Sequence, residues 1–328
     1  KAEWYEPETR DRVRCTLCPH YCLLGVGERG LCRSRMNIDG VLRAVNYGRS
    51  VALALDNIEK KPLYHFFPGS RIVSLGPNSC NLSCRFCQNF SISQEEASTA
   101  NISPAELASI VHSRSSGCPQ VAFTYTEPLT WYEYILDFAR QYPEIRIVLV
   151  TNGYINSEPL ARLLPHVAAM NIDLKSFRED FYHSQCGGSL DPVLASIKSA
   201  YAAGVHLELT NLLIPGLNNK ADEIRQMAQF IAHVDERIPL HISAYHPDYL
   251  AEEPATTHDD VIYACRIASE YLKHVYAGNV ADEQFTASYC PNCSHRMISR
   301  NWFSVEGDLS GSCASCGQKI YGVFTCSD

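Results

Sequence analysis

Three cysteines, Cys80, Cys84 and Cys87, are spaced C-x3-C-x2-C within the stretch SCNLSCRFCQNF, residues 79–90. Thiolates are soft ligands that suit iron–sulfur clusters, zinc or copper(I). A four-iron cluster normally takes four thiolates, so three close ones fill three corners and leave one iron open. An open metal position can receive a substrate, as it does in catalytic zinc sites. The alternative is a structural zinc knot that recruits a fourth ligand from elsewhere in the chain.

Two further cysteine groups have the spacing of metal sites. Cys15, Cys18, Cys22 and Cys32 follow C-x2-C-x3-C-x9-C in CTLCPHYCLLGVGERGLC, residues 15–32. Four thiolates close a structural zinc site or equally hold an auxiliary iron–sulfur cluster; spacing alone does not decide, and zinc is the preferred reading. His20 lies inside this group and is read as facing solvent. Cys290 and Cys293 pair with Cys313 and Cys316 as two C-x2-C knuckles nineteen residues apart, the pattern of a zinc ribbon. Four cysteines remain. Cys118, Cys186 and Cys265 are read as small apolar residues in or near helices, and Cys326 is unassigned.

The cluster-type loop must be held by something rigid. It follows the apolar run Arg71-Ile-Val-Ser-Leu-Gly-Pro77, which reads as a strand ending in a turn. From there strand and helix alternate. Ser103-Pro-Ala-Glu106 is a capping box with proline at the first helical position. Strands are expected over 120–128, 145–153, 168–176, 206–216 and 238–247. Helices are expected to about Ser115, then over 130–142, 158–164, 190–204, 221–234 and 257–272. This alternation means parallel βαβ units. Six to seven units in one row imply a barrel or partial barrel. From Arg71 onward no strand is followed by G-x-G-x-x-G, and the chain has no Walker A motif, which removes the common nucleotide folds. Residues 41–70 read as short strands or a hairpin, in which Lys60, Lys61, His65 and Phe67 belong to a packed linker.

The strand tips carry polar residues. They are Thr124, Thr126 and Glu127, then Thr151 and Asn152, Asp173 and Lys175, Asn211, and His246. Parallel strands bring such tips to one face. Taken singly, Glu127 could be a helix-start carboxylate and Asp173 and Lys175 a mutual pair. Together, behind a three-cysteine loop, they point to a site.

C-x3-C-x-aromatic-C, with Phe86 before the last cysteine, resembles the cluster motif of the radical S-adenosylmethionine (SAM) superfamily. The row of strand tips looks like that of the glycyl-radical activating enzymes, typified by the pyruvate formate-lyase activating enzyme. The resemblance implies a [4Fe-4S] cluster on Cys80, Cys84 and Cys87 that cleaves SAM reductively to a 5′-deoxyadenosyl radical. It implies that Glu127, with Tyr125 and Thr126, receives SAM's amino group. Thr151 and Asn152 would form the next SAM-contacting turn, and Asp173 and Lys175 would lie near SAM's carboxylate. His246 would lie beside SAM and Phe86 would flank the adenine. Val150 stands where those enzymes have Asp, so their cation site is not expected here. Longer pieces, CTLCPHYC, IEKKPLYHFFPGS, CNLSCRFCQN, YTEP, LIPGLN and CPNC…CASCG, resemble the radical SAM enzymes of the AmmeMemoRadiSam system over nearly the whole chain. That resemblance implies Memo-like and AMMECR-like protein partners, and an electron donor such as flavodoxin or ferredoxin.

The expected fold is thus α/β: a partial (β/α)6 TIM-like barrel over 71–285. An N-terminal four-cysteine module and linker occupy 1–70, and a C-terminal zinc-ribbon-like module occupies 286–328. Formal charge is −8, which argues against a nucleic-acid binder, although residues 1–50 carry nine Lys or Arg against six Asp or Glu. No apolar run reaches the roughly 18 residues of a membrane helix, and no signal-type segment opens the chain. A cytoplasmic enzyme is expected. The rival reading is a non-catalytic metal-binding adaptor that docks partner proteins or nucleic acid.

Overall fold

The computed structural model describes residues 1–115, 117–301 and 304–326. Its centre is a nine-stranded sheet. Seven strands run parallel and follow chain order across the sheet: Arg71–Pro77, Gln120–Phe123, Arg146–Thr151, Val167–Asp173, His206–Leu213, Leu240–Ala244 and Val275–Gly278. The first six match the strands expected from sequence. The seventh, the short VYAG at Val275–Gly278, was not anticipated. These strands are buried along nearly their whole length, as strands covered on both faces must be.

Arg49–Asn57 lies in the stretch read as linker. It joins the same sheet antiparallel to Arg71–Pro77, and Ala100–Asn101 pairs on its far side. The helices fall between the strands as expected. Pro104–Arg114 begins with the capping box: Ser103 Oγ accepts from the Glu106 amide at 3.3 Å, and Glu106 accepts from the Ser103 amide at 2.8 Å. Tyr132–Gln141 is preceded by a tight turn over Pro128–Trp131, capped by the Glu127 carboxylate. Ser157–Leu163, Asp191–Ala202, Ala221–Asp235 and His258–Ala268 complete the set. Among the described residues no helix is long and apolar enough to cross a membrane.

The N-terminal residues form a three-stranded sheet, Tyr5–Pro7, Val13–Cys15 and Leu23–Leu24, beside the hairpin Arg35–Ile38 and Val41–Ala44. A buried ion pair fastens this unit to the central layer. Both carboxylate oxygens of Glu133 lie 2.8 Å from Nη2 of Arg35, and Arg35 is 1 % exposed. The C-terminal residues form a small sheet of Ser288–Tyr289, Arg296–Arg300 and Val305–Gly307.

The amino-terminal ends of the strands are closed by a buried polar floor. Glu208, third in its strand and fully buried, accepts from the amides of Tyr64 and His65 and lies 3.0 and 2.7 Å from Nε2 of His206 and His241. His65 bonds the Tyr321 carbonyl through Nδ1 and the Tyr276 hydroxyl through Nε2. Arg300 donates to Ser288 and to the Tyr64 carbonyl. So the linker segment and the C-terminal segment meet beneath the sheet. The packed-linker reading of Lys61, His65 and Phe67 holds, since all three are buried, whereas Lys60 is exposed.

One cysteine reading is corrected. Cys118 is not a lone apolar residue: its sulfur is bonded to that of Cys326, 208 residues away, with Cα atoms 5.9 Å apart. Cys265 is buried in the helix His258–Ala268, as expected.

Candidate functional site

The carboxyl ends of the parallel strands surround a cavity of about 290 Å³. Cys80, Cys84 and Cys87 line it, and so do Phe86, Tyr125, Thr126, Glu127, Asn152, Asp173 and Lys175. Seven of the nine residues expected to bind a cofactor therefore share this space with the three thiols. Thr210, Leu212, Ser243 and Asn279, from the last three strands and their tips, complete the far wall. Its volume sits at the lower edge of the range for small-molecule sites, roughly 300 Å³ upward.

The cysteine loop is shaped by close backbone packing. Gly76, the penultimate residue of its strand, lies so near Thr124 that a Cβ there would sit 2.0 Å from the Thr124 carbonyl oxygen. Thr126 Oγ1 donates to the Pro77 carbonyl at 2.6 Å, and the Glu127 amide donates to the Ser79 carbonyl at 3.2 Å. On the other side the amides of Ser83 and Arg85 donate to the carbonyls of Cys186 and Gln185. Cys186 is not merely a packing residue. It is fully buried, and its neighbouring thiol holds Cys84 below the usual thiol range against the opposing effect of burial. Around the other sulfurs, Ser93 Oγ lies 3.1 Å from Cys87, and the Leu82 amide and Asn152 side chain point at Cys80 from 3.4 and 3.8 Å.

Glu127 is buried, and three donors hold it: the Leu129 amide at 3.0 Å, Thr151 Oγ1 at 2.6 Å and the Asn152 amide at 2.7 Å. Burial outweighs these bonds and pushes its carboxyl up to about 7. The helix-start reading of Glu127 is therefore correct, and the carboxylate also lines the cavity. Thr151 does not line it and acts from behind, on Glu127.

Tyr125 adopts φ +69°, a left-handed conformation that costs an ordinary residue roughly 1–2 kcal/mol. Its carbonyl accepts from Asn89 at 2.7 Å and its hydroxyl donates to Asp56 at 2.6 Å, which hold the turn. Asp56 also accepts from Lys61 at 2.7 Å, and the Lys61 ammonium stands 4.4 Å from the centre of the Tyr125 ring.

Lys175 donates to Asp173 at 3.0 Å and lies 6.0 Å from the centre of the Phe86 ring. Burial alone would lower it, but Asp173 and the nearby sulfurs of Cys84 and Cys186 keep its ammonium well above the usual lysine range. Asn211 faces away from the cavity and donates to the Leu174 carbonyl, bracing the turn that carries Lys175. His246 is exposed and does not line the cavity.

The other cysteine groups differ in shape. Cys290, Cys293, Cys313 and Cys316 have all four sulfurs within 4.8 Å of one another, a ready tetrahedral site. Cys15, Cys18, Cys22 and Cys32 line a second cavity with Arg35 and Asn81. His20, expected in solvent, instead bonds the Asn81 carbonyl at 2.7 Å.

Sequence reasoning missed Asn81, Ser93 and Cys186. Each sits against a cluster-loop thiol or its neighbour, but polar and small residues of that kind carry no spacing rule.

A row of parallel strands with thiols and convergent polar groups lining one cavity at its carboxyl ends is the arrangement in which α/β enzymes carry their sites. Residues 76–231 match the radical SAM superfamily. MJ0808, a protein of Methanocaldococcus jannaschii, is 40% identical over 333 residues, which covers 98% of each chain. The chain carries a radical SAM superfamily domain over residues 76–231 and is an enzyme of that class. A radical SAM methyltransferase from Sphaerobacter thermophilus has a similar fold, with 15% identity, 65% of this chain and 67% of that one covered, and a TM-score of 0.52. A domain of pyruvate-formate lyase-activating enzyme from Bacteroides vulgatus is similar at 21% identity over 50% of this chain and all of that one, with a TM-score of 0.44. The non-catalytic adaptor reading is set aside by the family.

Proposed function

We propose that Cys80, Cys84 and Cys87 hold a [4Fe-4S] cluster with one open iron, and that SAM occupies the adjoining cavity. The donor set fits such a group: three thiols from one loop, an N–H aimed at Cys80, and a cationic Lys175 beside Cys84. When bound, the cluster supplies the electron that splits SAM into methionine and a 5′-deoxyadenosyl radical, which then abstracts hydrogen from a substrate. The chain's own residues orient and shield. Glu127 offers a remaining lone pair to SAM's ammonium, Lys175 balances its carboxylate, and Phe86 presents an apolar face to the adenine. Thr126 and Asn152 complete the wall.

The observation that carries this reading is that three thiols and the polar tips of successive parallel strands line one cavity. Modification of a partner protein, of the glycyl-radical type, is the reaction class nearest to it. The partners proposed from sequence are Memo-like and AMMECR-like proteins, with flavodoxin or ferredoxin as electron donor. The compact C-terminal thiols are proposed to bind zinc, and the modules are proposed to divide near 70 and 285, with the Arg49–Asn57 strand counted with the central sheet.

The test is anaerobic reconstitution followed by SAM and a strong reductant. 5′-Deoxyadenosine should form, and Cys87→Ala should abolish it. Reconstituted protein that binds SAM and never cleaves it would refute the proposal.

A further inference from the structure

We propose that Cys15, Cys18, Cys22 and Cys32 hold a second four-iron cluster, placed to relay electrons to the thiols of Cys80, Cys84 and Cys87. The identity of this centre stands alone, and only its relay role rests on the function proposed above. The four cysteines lie outside the matched residues 76–231, so the superfamily motif does not account for them.

Sulfur spacing separates the candidate metals. Four thiolates at about 2.3 Å from one zinc ion lie roughly 3.8 Å from each other. The C-terminal set has that shape, with Cys290 to Cys316 and Cys293 to Cys313 both at 3.6 Å. Around a four-iron cluster each thiolate binds its own iron, so the sulfurs stand apart by on the order of 6 Å. Among the described residues the C-terminal set alone has its sulfurs within 4.8 Å of one another. The N-terminal thiols ring a shared cavity without closing on a single point, and in this they resemble the Cys80 group.

A second observation comes from Arg35. It lines the same cavity and is 1 % exposed. One nitrogen is taken by Glu133, while Nε and Nη1 have no hydrogen-bond partner among the described residues. Buried guanidinium donors left unpaired are costly. A cluster with four thiolates is anionic overall, and its sulfides and thiolate sulfurs accept N–H bonds.

The location suits relay. Asn81 lines the N-terminal cavity and is the residue after Cys80. Its carbonyl bonds His20 at 2.7 Å, and its side chain accepts at 2.9 Å from Asn152, which also points at Cys80. Leu31 lines the cavity and is 69 % exposed, so the centre lies one side chain from the surface. A reduced iron–sulfur or flavin protein would pass one electron to this centre, and the centre would pass it to the catalytic cluster. No bond forms or breaks in the relay.

The test compares the anaerobically reconstituted full chain with Cys80→Ala/Cys84→Ala/Cys87→Ala and with Cys18→Ser/Cys22→Ser. Iron, sulfide and zinc are counted, and EPR spectra of dithionite-reduced protein are recorded with and without SAM. The parent should hold about eight irons and one zinc. The triple variant should keep about half the iron and an EPR signal that SAM does not shift. The double variant should lose that signal and keep the SAM-sensitive one. It should also be reduced more slowly by ferredoxin, but not by dithionite. A parent with about four irons and two zincs, and a triple variant without iron, would overturn the proposal. That count is decisive even if the double variant fails to fold. Iron at the N-terminal set with no SAM-sensitive signal in the parent would sink the catalytic assignment and leave this one standing.

Discussion

The hydroxyl of Thr151 donates to Oε1 of Glu127 at 2.6 Å, from behind the wall that Glu127 presents to the cavity. With the two backbone amides it fixes a carboxylate that burial nevertheless raises to about 7. An ammonium ligand binds the ionised form. SAM affinity should therefore rise as pH climbs from about 6 to about 7, before the ligand's own α-amino group, near pH 7.7–8.0, begins to lose its proton. Glu127→Gln should remove this dependence and weaken SAM binding by roughly tenfold or more, the usual worth of a charged hydrogen bond. Equilibrium dialysis on reconstituted protein checks both. A pH dependence that survives in the variant would show that Glu127 is only a cap.

Glycines at the cluster loop should be intolerant of a methyl group. A Cβ on Gly188 would meet Leu82 Cδ2 at 2.6 Å, and one on Gly187, at φ +70°, would meet Ser83 Oγ at 2.5 Å. Gly188→Ala should cost roughly 1–3 kcal/mol and lower iron retention at the Cys80 group, because Leu82 lies between Cys80 and Cys84, two of the proposed ligands. Gly204→Ala is the control. Gly204 has φ +78° and nothing within 4 Å of a Cβ, so the cost should be backbone strain of about 1 kcal/mol with iron unchanged. Iron assay beside thermal melts separates the two effects.

Glu133 is the carboxylate partner of buried Arg35, and its oxygen also accepts from the Glu3 amide at 3.0 Å. Glu133→Ala strands a buried guanidinium and should destabilise by about 3–5 kcal/mol, with early exposure of residues 1–48. Hydrogen exchange during a denaturant series would register it. Loss confined to the 132–141 helix would place the anchor elsewhere.

The floor should be acid-sensitive. The ring of His274 packs 4.5 Å from that of His65, and burial holds His274 down at about 4 and His65 well below the usual histidine range. Both are neutral when folded and take up a proton on unfolding below about pH 6.5. The unfolded state then binds more protons, so stability falls as pH drops from about 6.5, by about 1.4 kcal/mol per unit for each such group, until the folded pKa is reached. Glu208 is held well below the carboxylate range by its histidine contacts and adds its own loss only below about pH 4.5. Urea melts at pH 7 and pH 5 should differ accordingly, and His274→Phe should narrow the gap.

The sequence was most informative where chemistry obeys a spacing rule. The thiol loop and the tips at Glu127, Asn152 and Asp173 were readable because β-branched runs ending in polar residues place those residues on one rim. Val275–Gly278 was harder to recognise, since four residues with an alanine and a glycine carry no period of their own. The Cys118–Cys326 bond and the Glu208 floor rest on partners scores of residues apart, and nothing local announces such pairs. Cys186 is found beside Cys84 only because the turn at Gly187 folds back on the loop.

The floor and the three cysteines of the loop differ in how far apart in the chain their parts lie. The cysteine loop closes over a handful of residues, whereas His65 meets Tyr321 across 256 positions. Joining distant segments carries the larger entropic cost and slows folding, so the three thiols are held near one another by the short chain between them before the far-reaching contacts of the floor form. The thiol loop can then gather before the molecule is sealed beneath it, and an inorganic group can be inserted into a chain that is still open at its base.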